Sequence, residues 1–204
     1  MKSFKQSEMK NIKIEIKDID SEDIDLEDIR GKFGVWFLIG KNINNKYECL
    51  QVAQSSDIGK EIELDINDMT SKKLTSLYFK NYVNQFGEKK FEYIECDRWR
   101  AKNLYYYLSC NFSDFIFICI VDKKLTDSKT RKLLEKYIAY KTKSSFWVNG
   151  RPFIKEQSEE EKRELIESYS KRLEDIRKTF EDVFLNSKLL YKVDDYISNK
   201  LENY

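Results

Sequence analysis

At 204 residues, with 37 Lys and Arg against 36 Asp and Glu, the chain carries a formal net charge of +1. That balance excludes a globally basic nucleic-acid binder and leaves local basic faces open. The chain also has no histidine, which removes the usual general base near neutral pH, the commonest metal ligand and every Ser-His or Cys-His nucleophile pair.

Any catalysis therefore falls to carboxylates, Tyr, Lys or Cys, with a hard metal ion held by oxygen. The length suits one domain, or one domain with an appendage. Its 13 Phe, 13 Tyr and 3 Trp supply core bulk, and 36% charged residues point to long solvated helices around a small core. Cys49, Cys96, Cys110 and Cys119 form no CxxC pair, so they read as reduced thiols of a cytosolic protein. No stretch approaches ~18 uninterrupted apolar residues, and the first ten lack an apolar core. The expectation is a cytoplasmic chain with neither signal peptide nor membrane span.

In chain order, Ile12-Lys-Ile-Glu-Ile16 alternates and reads as a short strand. Asp18 to Asp28 holds seven acids and no base. It lacks the glycine and closing glutamate of a calcium loop, and so reads as a solvated acidic segment. Gly34-Val-Trp-Phe-Leu-Ile-Gly40 and Tyr47-Glu-Cys-Leu-Gln-Val-Ala-Gln54, joined by Lys41-Asn-Ile-Asn-Asn-Lys46, predict a β-hairpin. Ser55-Ser-Asp-Ile-Gly59 can start a helix or a tight loop, and residues 57–69 stay unassigned.

Ser71 to Phe86 predicts a helix, Gly87-Glu-Lys-Lys90 a turn and Phe91-Glu-Tyr-Ile94 a short strand. Asp97 to Leu108 predicts a helix in which Arg98, Arg100 and Lys102 stand among Trp99 and Tyr105 to Tyr107. Basic residues interleaved with aromatics suit single-stranded nucleic acid, and equally a half-buried helix with snorkelling cations. Phe115-Ile-Phe-Ile-Cys-Ile-Val121 predicts a central strand. Thr126 to Thr130 caps a helix running to about Tyr140, with Leu134, Tyr137 and Ile138 on its apolar face and Glu135 at the edge. Ser158-Glu-Glu-Glu161 fits a capping box. It opens a helix with a heptad seam at Ile166, Tyr169, Leu173, Ile176, Phe180 and Val183, which can pack on its own domain or on a second copy.

The order hairpin, helical region, buried strand, glutamate-bearing helix and asparagine loop resembles the GIY-YIG endonuclease family over roughly residues 34–149. Gly34-Val-Trp36 stands at the Gly-Ile-Tyr signature and Gln51-Val-Ala53 at the Tyr-Ile-Gly signature. Glu135 matches the family's metal-binding glutamate and Asn149 its closing asparagine.

The resemblance implies phosphodiester hydrolysis with Mg²⁺ or Mn²⁺ on Glu135, an activated water and charge stabilisation in flight. Trp36 and Gln51 replace both signature tyrosines, and the arginine position falls near Lys60 or Glu61. Two accounts follow. Either the fold persists without its activity and needs no cofactor, or Tyr47 and Arg98 or Arg100 replace the lost groups.

The expected architecture is α/β (α+β): a small, mostly antiparallel central sheet flanked by helices. It divides into an N-terminal strand and acidic segment (1–33), a GIY-YIG-like domain (34–155) and a C-terminal helical extension (156–204). The expected function is binding of DNA or RNA without efficient cleavage, with Arg98, Arg100, Lys102 and Tyr106 on the nucleic acid. One alternative is a metal-dependent endonuclease with a rearranged site built from Glu135, Asn149, Tyr47 and Arg100. The other is a protein-interaction or inhibitor module working through the C-terminal helices and acidic segment.

Overall fold

The structure, a computed structural model, describes residues 12–18, 27–70, 82–88, 90–91, 101–147, 158–183, 193–195 and 197–198. Strand β1 (Ile12–Asp18) is followed by the hairpin β2 (Gly34–Lys41) and β3 (Tyr47–Ser55), helix α1 (Ile58–Thr70), and the two-residue strands β4 (Tyr82–Val83) and β5 (Lys90–Phe91). Helix α2 (Ala101–Asn111), strand β6 (Ser113–Val121), helix α3 (Ser128–Thr142) and helix α4 (Glu159–Val183) complete the order. Short 3₁₀ turns at Glu27–Ile29 and Lys123–Thr126 precede β2 and α3.

The main sheet has the order β1-β6-β2-β3. Strand β2 is antiparallel to both β3 and β6, and β1 runs parallel to β6 at the edge, with Ile12 beside Phe115 and Asp18 beside Val121. The fold is therefore mixed α+β with a mostly antiparallel sheet, as the pattern predicts.

Alternation sorts the strand residues into two layers. Val35, Phe37, Ile39, Ile116, Ile118 and Ile120 join Leu134, Ile138, Ile176 and Phe180 beneath α3 and α4. Trp36, Leu38, Phe117 and Cys119 join Ile58, Ile62, Ile66, Leu104 and Leu108 beneath α1 and α2. Cover on both faces explains why β6 is apolar at seven consecutive positions instead of every second one. Buried in this way, the free thiol of Cys119 is pushed up to about 12 by desolvation. Cys49 is likewise a buried thiol outside any disulfide among the described residues, whereas Cys110 is exposed; Cys96 lies outside the described residues.

Local chemistry shapes the connections. Asn42 Oδ1 accepts from the N–H groups of Asn44 (2.9 Å) and Lys46 (3.1 Å), and Asn45 takes φ +59°, so the asparagines build the hairpin turn. Asp57 Oδ1 caps α1 by accepting from Lys60 N at 3.1 Å, and it ties down Gly31 N at 2.8 Å. The capping box of α4 is formed in both directions: Glu161 N donates to Ser158 Oγ at 3.1 Å, and Ser158 N donates to Glu161 Oε2 at 2.7 Å.

One expectation needs correction. The helix predicted over Ser71 to Phe86 does not reach Phe86, because Tyr82–Val83 pairs with Lys90–Phe91 as a small hairpin; residues 71–81 lie outside the described set. Asn84 Oδ1 accepts from Phe86 N and Glu88 N, both at 3.1 Å, which fixes a turn where a helix would need those amides. Gly87 has φ +74°, and a Cβ there would stand 2.7 Å from the Lys162 carbonyl of α4.

The heptad seam of α4 packs within the chain, against α3. Phe180 stacks on Tyr137 with centroids 4.8 Å apart, and the Tyr169 hydroxyl donates to the Tyr140 carbonyl at 2.6 Å. The seam's ends stay in water, Ile166 being 49% and Val183 45% exposed. No helix among the described residues is long and apolar enough to cross a membrane. Phe180→Ala is expected to cost about 3–5 kcal/mol by removing a fully buried ring, and Ile166→Ala about 1 kcal/mol or less. Equilibrium urea unfolding of the two variants checks the difference.

Candidate functional site around Glu135

Helix α3 positions Glu135. Asp127 caps the helix, accepting from Thr130 N and Thr130 Oγ1, each at 2.7 Å. At the other end Lys143 adopts left-handed φ and ψ of 48° and 49°, which turns the chain back toward the sheet. Ser145 N and Phe146 N then donate to the carbonyls of Cys49 (2.9 Å) and Leu50 (2.8 Å) on the outer edge of β3. The register of β2 and β3 slips there, between Leu38 and Ile39, so the returning segment occupies an edge that a bulge has already bent.

This path brings Trp147 under α3, where its Nε1 donates to Glu135 Oε1 at 3.0 Å. Trp147 is held in turn by Phe86, stacked at 6.3 Å, and by Tyr140 at 5.9 Å. Burial raises the Glu135 carboxyl above its ordinary range, opposed by the Trp147 hydrogen bond and the nearby Lys132.

The other predicted residues fall in different places. Tyr47 packs against the same apolar layer as Trp147 and receives the Lys41 ammonium 5.6 Å from its ring centroid. Trp36 belongs to the opposite layer, 6.3 Å from the ring of Tyr105 and 5.7 Å from that of Phe117. Gln51 stands beside Leu38, a residue of that opposite layer, and its Oε1 accepts from Val52 N at 3.3 Å. Lys60 and Glu61 lie exposed on the first turn of α1. Lys102 and Tyr106 lie on α2, their side chains outside what is described. Arg98, Arg100 and Asn149 also lie outside the described residues. Of the candidates that are described, Glu135 and Tyr47 share one side of the sheet, and Trp36 and Gln51 sit on the other.

Two groups of polar residues escape the pattern analysis. Asp65 of α1 is 95% withdrawn from water, 5% remaining exposed, and is hydrogen-bonded to Tyr105; desolvation raises its carboxyl well above the ordinary range. Its Oδ2 and the Nε1 of Trp36 have no hydrogen-bond partner among the described residues. Arg131 is buried as well. Its Nε donates to Gln54 Oε1 at 2.7 Å, and its Nη1 to the carbonyls of Leu125 (2.6 Å) and Thr126 (2.9 Å). Its position three before Leu134 and seven before Ile138 places it on the apolar stripe, a signal available from spacing alone. The guanidinium lies 4.9 Å from the ring centroid of Phe33. Beyond Phe33 is a cavity of about 350 Å³, lined by Gly31, Lys32, Phe33, Val121, Asp122, Lys123 and Thr126.

The metal that the resemblance implies does not fit the donors described. Among the described residues no three carboxylate or thiolate side chains converge, and an indole N–H already occupies one Glu135 oxygen. A hard divalent cation wants several oxygen donors around it. Compared with protein-family models, curated proteins and solved structures, the chain matches none.

Glu135→Gln retains an acceptor for Trp147 and removes the buried charge. Because folding raises the Glu135 pKa, its stabilising contribution is complete below the unfolded value of about 4.3 and is lost as pH rises through the folded value. The Gln variant is therefore expected to gain stability relative to the parent as pH climbs from 4 to 7. Urea unfolding across that range checks it, and a pH-independent gap in the parent's favour would contradict the assignment.

Proposed function

We propose that the chain is a degenerate GIY-YIG-like protein that binds nucleic acid without cutting it efficiently. The observation that carries this reading is the separation of its signature positions: Trp36 is sealed in the layer under α1 and α2, and Glu135 is held under α3 on the other face. Hydrolysis of a phosphodiester needs an activated water, a cation at the departing oxygen and stabilised charge, all converging on one phosphate. An indole supplies no acidic hydroxyl, the Gln51 amide is bonded to its own strand, and Lys60 cannot make a bidentate clamp.

The scaffold half of the reading is supported by element order. The hairpin β2 and β3, helix α1, the short strands β4 and β5, helix α2, the buried strand β6 and the glutamate-bearing helix α3 follow in that order, with β2 seated between β3 and β6. Binding is supported by exposed lysines at the chain turns beside the sheet, Lys32 and Lys123 among them.

The test is incubation with plasmid and single-stranded DNA in Mg²⁺ or Mn²⁺, beside anisotropy titrations with DNA and RNA at several salt concentrations. The expected result is no nicking above the Glu135→Ala background, with an affinity that falls linearly in log-log salt plots. Nicking that Glu135→Ala abolishes would replace this reading by a rearranged endonuclease. No binding of either nucleic acid at moderate salt would favour a protein-interaction module instead.

A further inference from the structure

We propose that the cavity between the turns at Gly31–Phe33 and Val121–Thr126 binds a nucleoside monophosphate, its phosphate on Lys32 and Lys123 and its base on Phe33. At about 350 Å³ the cavity has the size of a small-ligand site. It lies where β1 and the parallel β6 both end, at Asp18 and Val121, the end of parallel strands at which open sheets ordinarily hold ligands.

Among the described residues, its lining holds two lysines against one carboxylate. Lys32 and Lys123 are exposed and have no ion-pair partner among the described residues. The carboxylate in the wall, Asp122, is turned to the backbone and accepts from Lys124 N at 2.6 Å. Behind Phe33, Arg131 is only 7% exposed, and among the described residues its hydrogen bonds go to neutral oxygens. Buried cations are ordinarily paired. The Arg131 guanidinium therefore adds positive charge behind the Phe33 ring, 4.9 Å from its centroid.

Phe33 supplies the second half of the chemistry. It is a large apolar side chain left 37% exposed, steadied by the guanidinium stacked on it. A fixed aromatic ring beside two free ammonium groups suits a base and its phosphate together. The inference rests on the nucleic-acid reading only for the source of the nucleotide, which can be a free monophosphate or the phosphorylated end of a strand.

Calorimetric titration of the full chain with adenosine monophosphate, adenosine and inorganic phosphate tests it. Adenosine monophosphate is expected to saturate, with adenosine and phosphate each about tenfold weaker or worse. Lys32→Gln and Lys123→Gln are each expected to weaken the monophosphate about tenfold. Phe33→Leu should weaken the monophosphate and leave phosphate alone, all three variants keeping the parent's thermal midpoint.

Monophosphate binding no tighter than adenosine or phosphate, no saturation, or variants that bind like the parent would overturn the site. A 5′-phosphorylated oligonucleotide that competes with the monophosphate identifies a strand end as the source, and one that does not identifies the free nucleotide. Oligonucleotide binding without any monophosphate binding overturns the cavity site and leaves the nucleic-acid reading standing. Monophosphate binding without oligonucleotide binding does the reverse.

Discussion

Strand β2 is bonded along both edges and covered on both faces, and the rest of the molecule is arranged to keep it so. Its first residue shows how tight that is: a Cβ on Gly34 would lie 2.5 Å from the Ile120 carbonyl of β6, so only glycine allows the strands their approach there. From Val35 to Ile39 every side chain is buried, alternately under α3 and under α1 with α2. Nothing in the middle of this strand can meet a substrate. Chemistry is confined to its ends, where Lys32 and Phe33 enter on one side and Glu48 accepts from Ser145 Oγ at 2.8 Å on the other.

That constraint reinterprets the most suggestive part of the sequence. A glycine followed by a branched residue and an aromatic reads as a signature, yet here each has a packing reason. Trp36 fills space between Tyr105 and Phe117, and its N–H is left without a described partner, a cost of about 1–3 kcal/mol accepted by the core. The neighbouring Asp65 behaves alike, held toward its neutral form by burial and joined to Tyr105. Across the sheet the polar groups are matched differently, Trp147 donating to Glu135 and Tyr137 to Asp194.

The elements legible from sequence were those with a complete local signal. Strands β2, β3 and β6 are dense in apolar residues and end at asparagine turns or acids, and the starts of α3 and α4 carry their own caps. Helix α1 was not legible, because Asp65 interrupts the apolar stripe of Ile58, Ile62, Ile66 and Met69 from within. The short strands β4 and β5 were masked by a helix-like spacing of Leu and Tyr that the Asn84 side chain overrides. Glu135 could be picked out by its place after a buried strand. Its separation from Trp36 could not, since which helix covers which face depends on contacts distant in the chain. Arg131 was readable from its stripe position, and only the structure shows that, among the described residues, its hydrogen bonds go to neutral oxygens.

The edge pairing of β1 has a temporal side. Ile12 lies beside Phe115 and Asp18 beside Val121, so β1 has no partner until the hairpin, α1, α2 and β6 have all been made. Parallel pairing across such a span closes a large loop before any contact offsets its entropy, which makes it slow. The hairpin of β2 and β3, closed by the short turn between Lys41 and Tyr47, forms on a far shorter timescale. Assembly therefore proceeds outward from β2, with β6 laid against a finished hairpin and β1 joining last. Until then the exposed edge of β6 offers an open strand to other chains during synthesis.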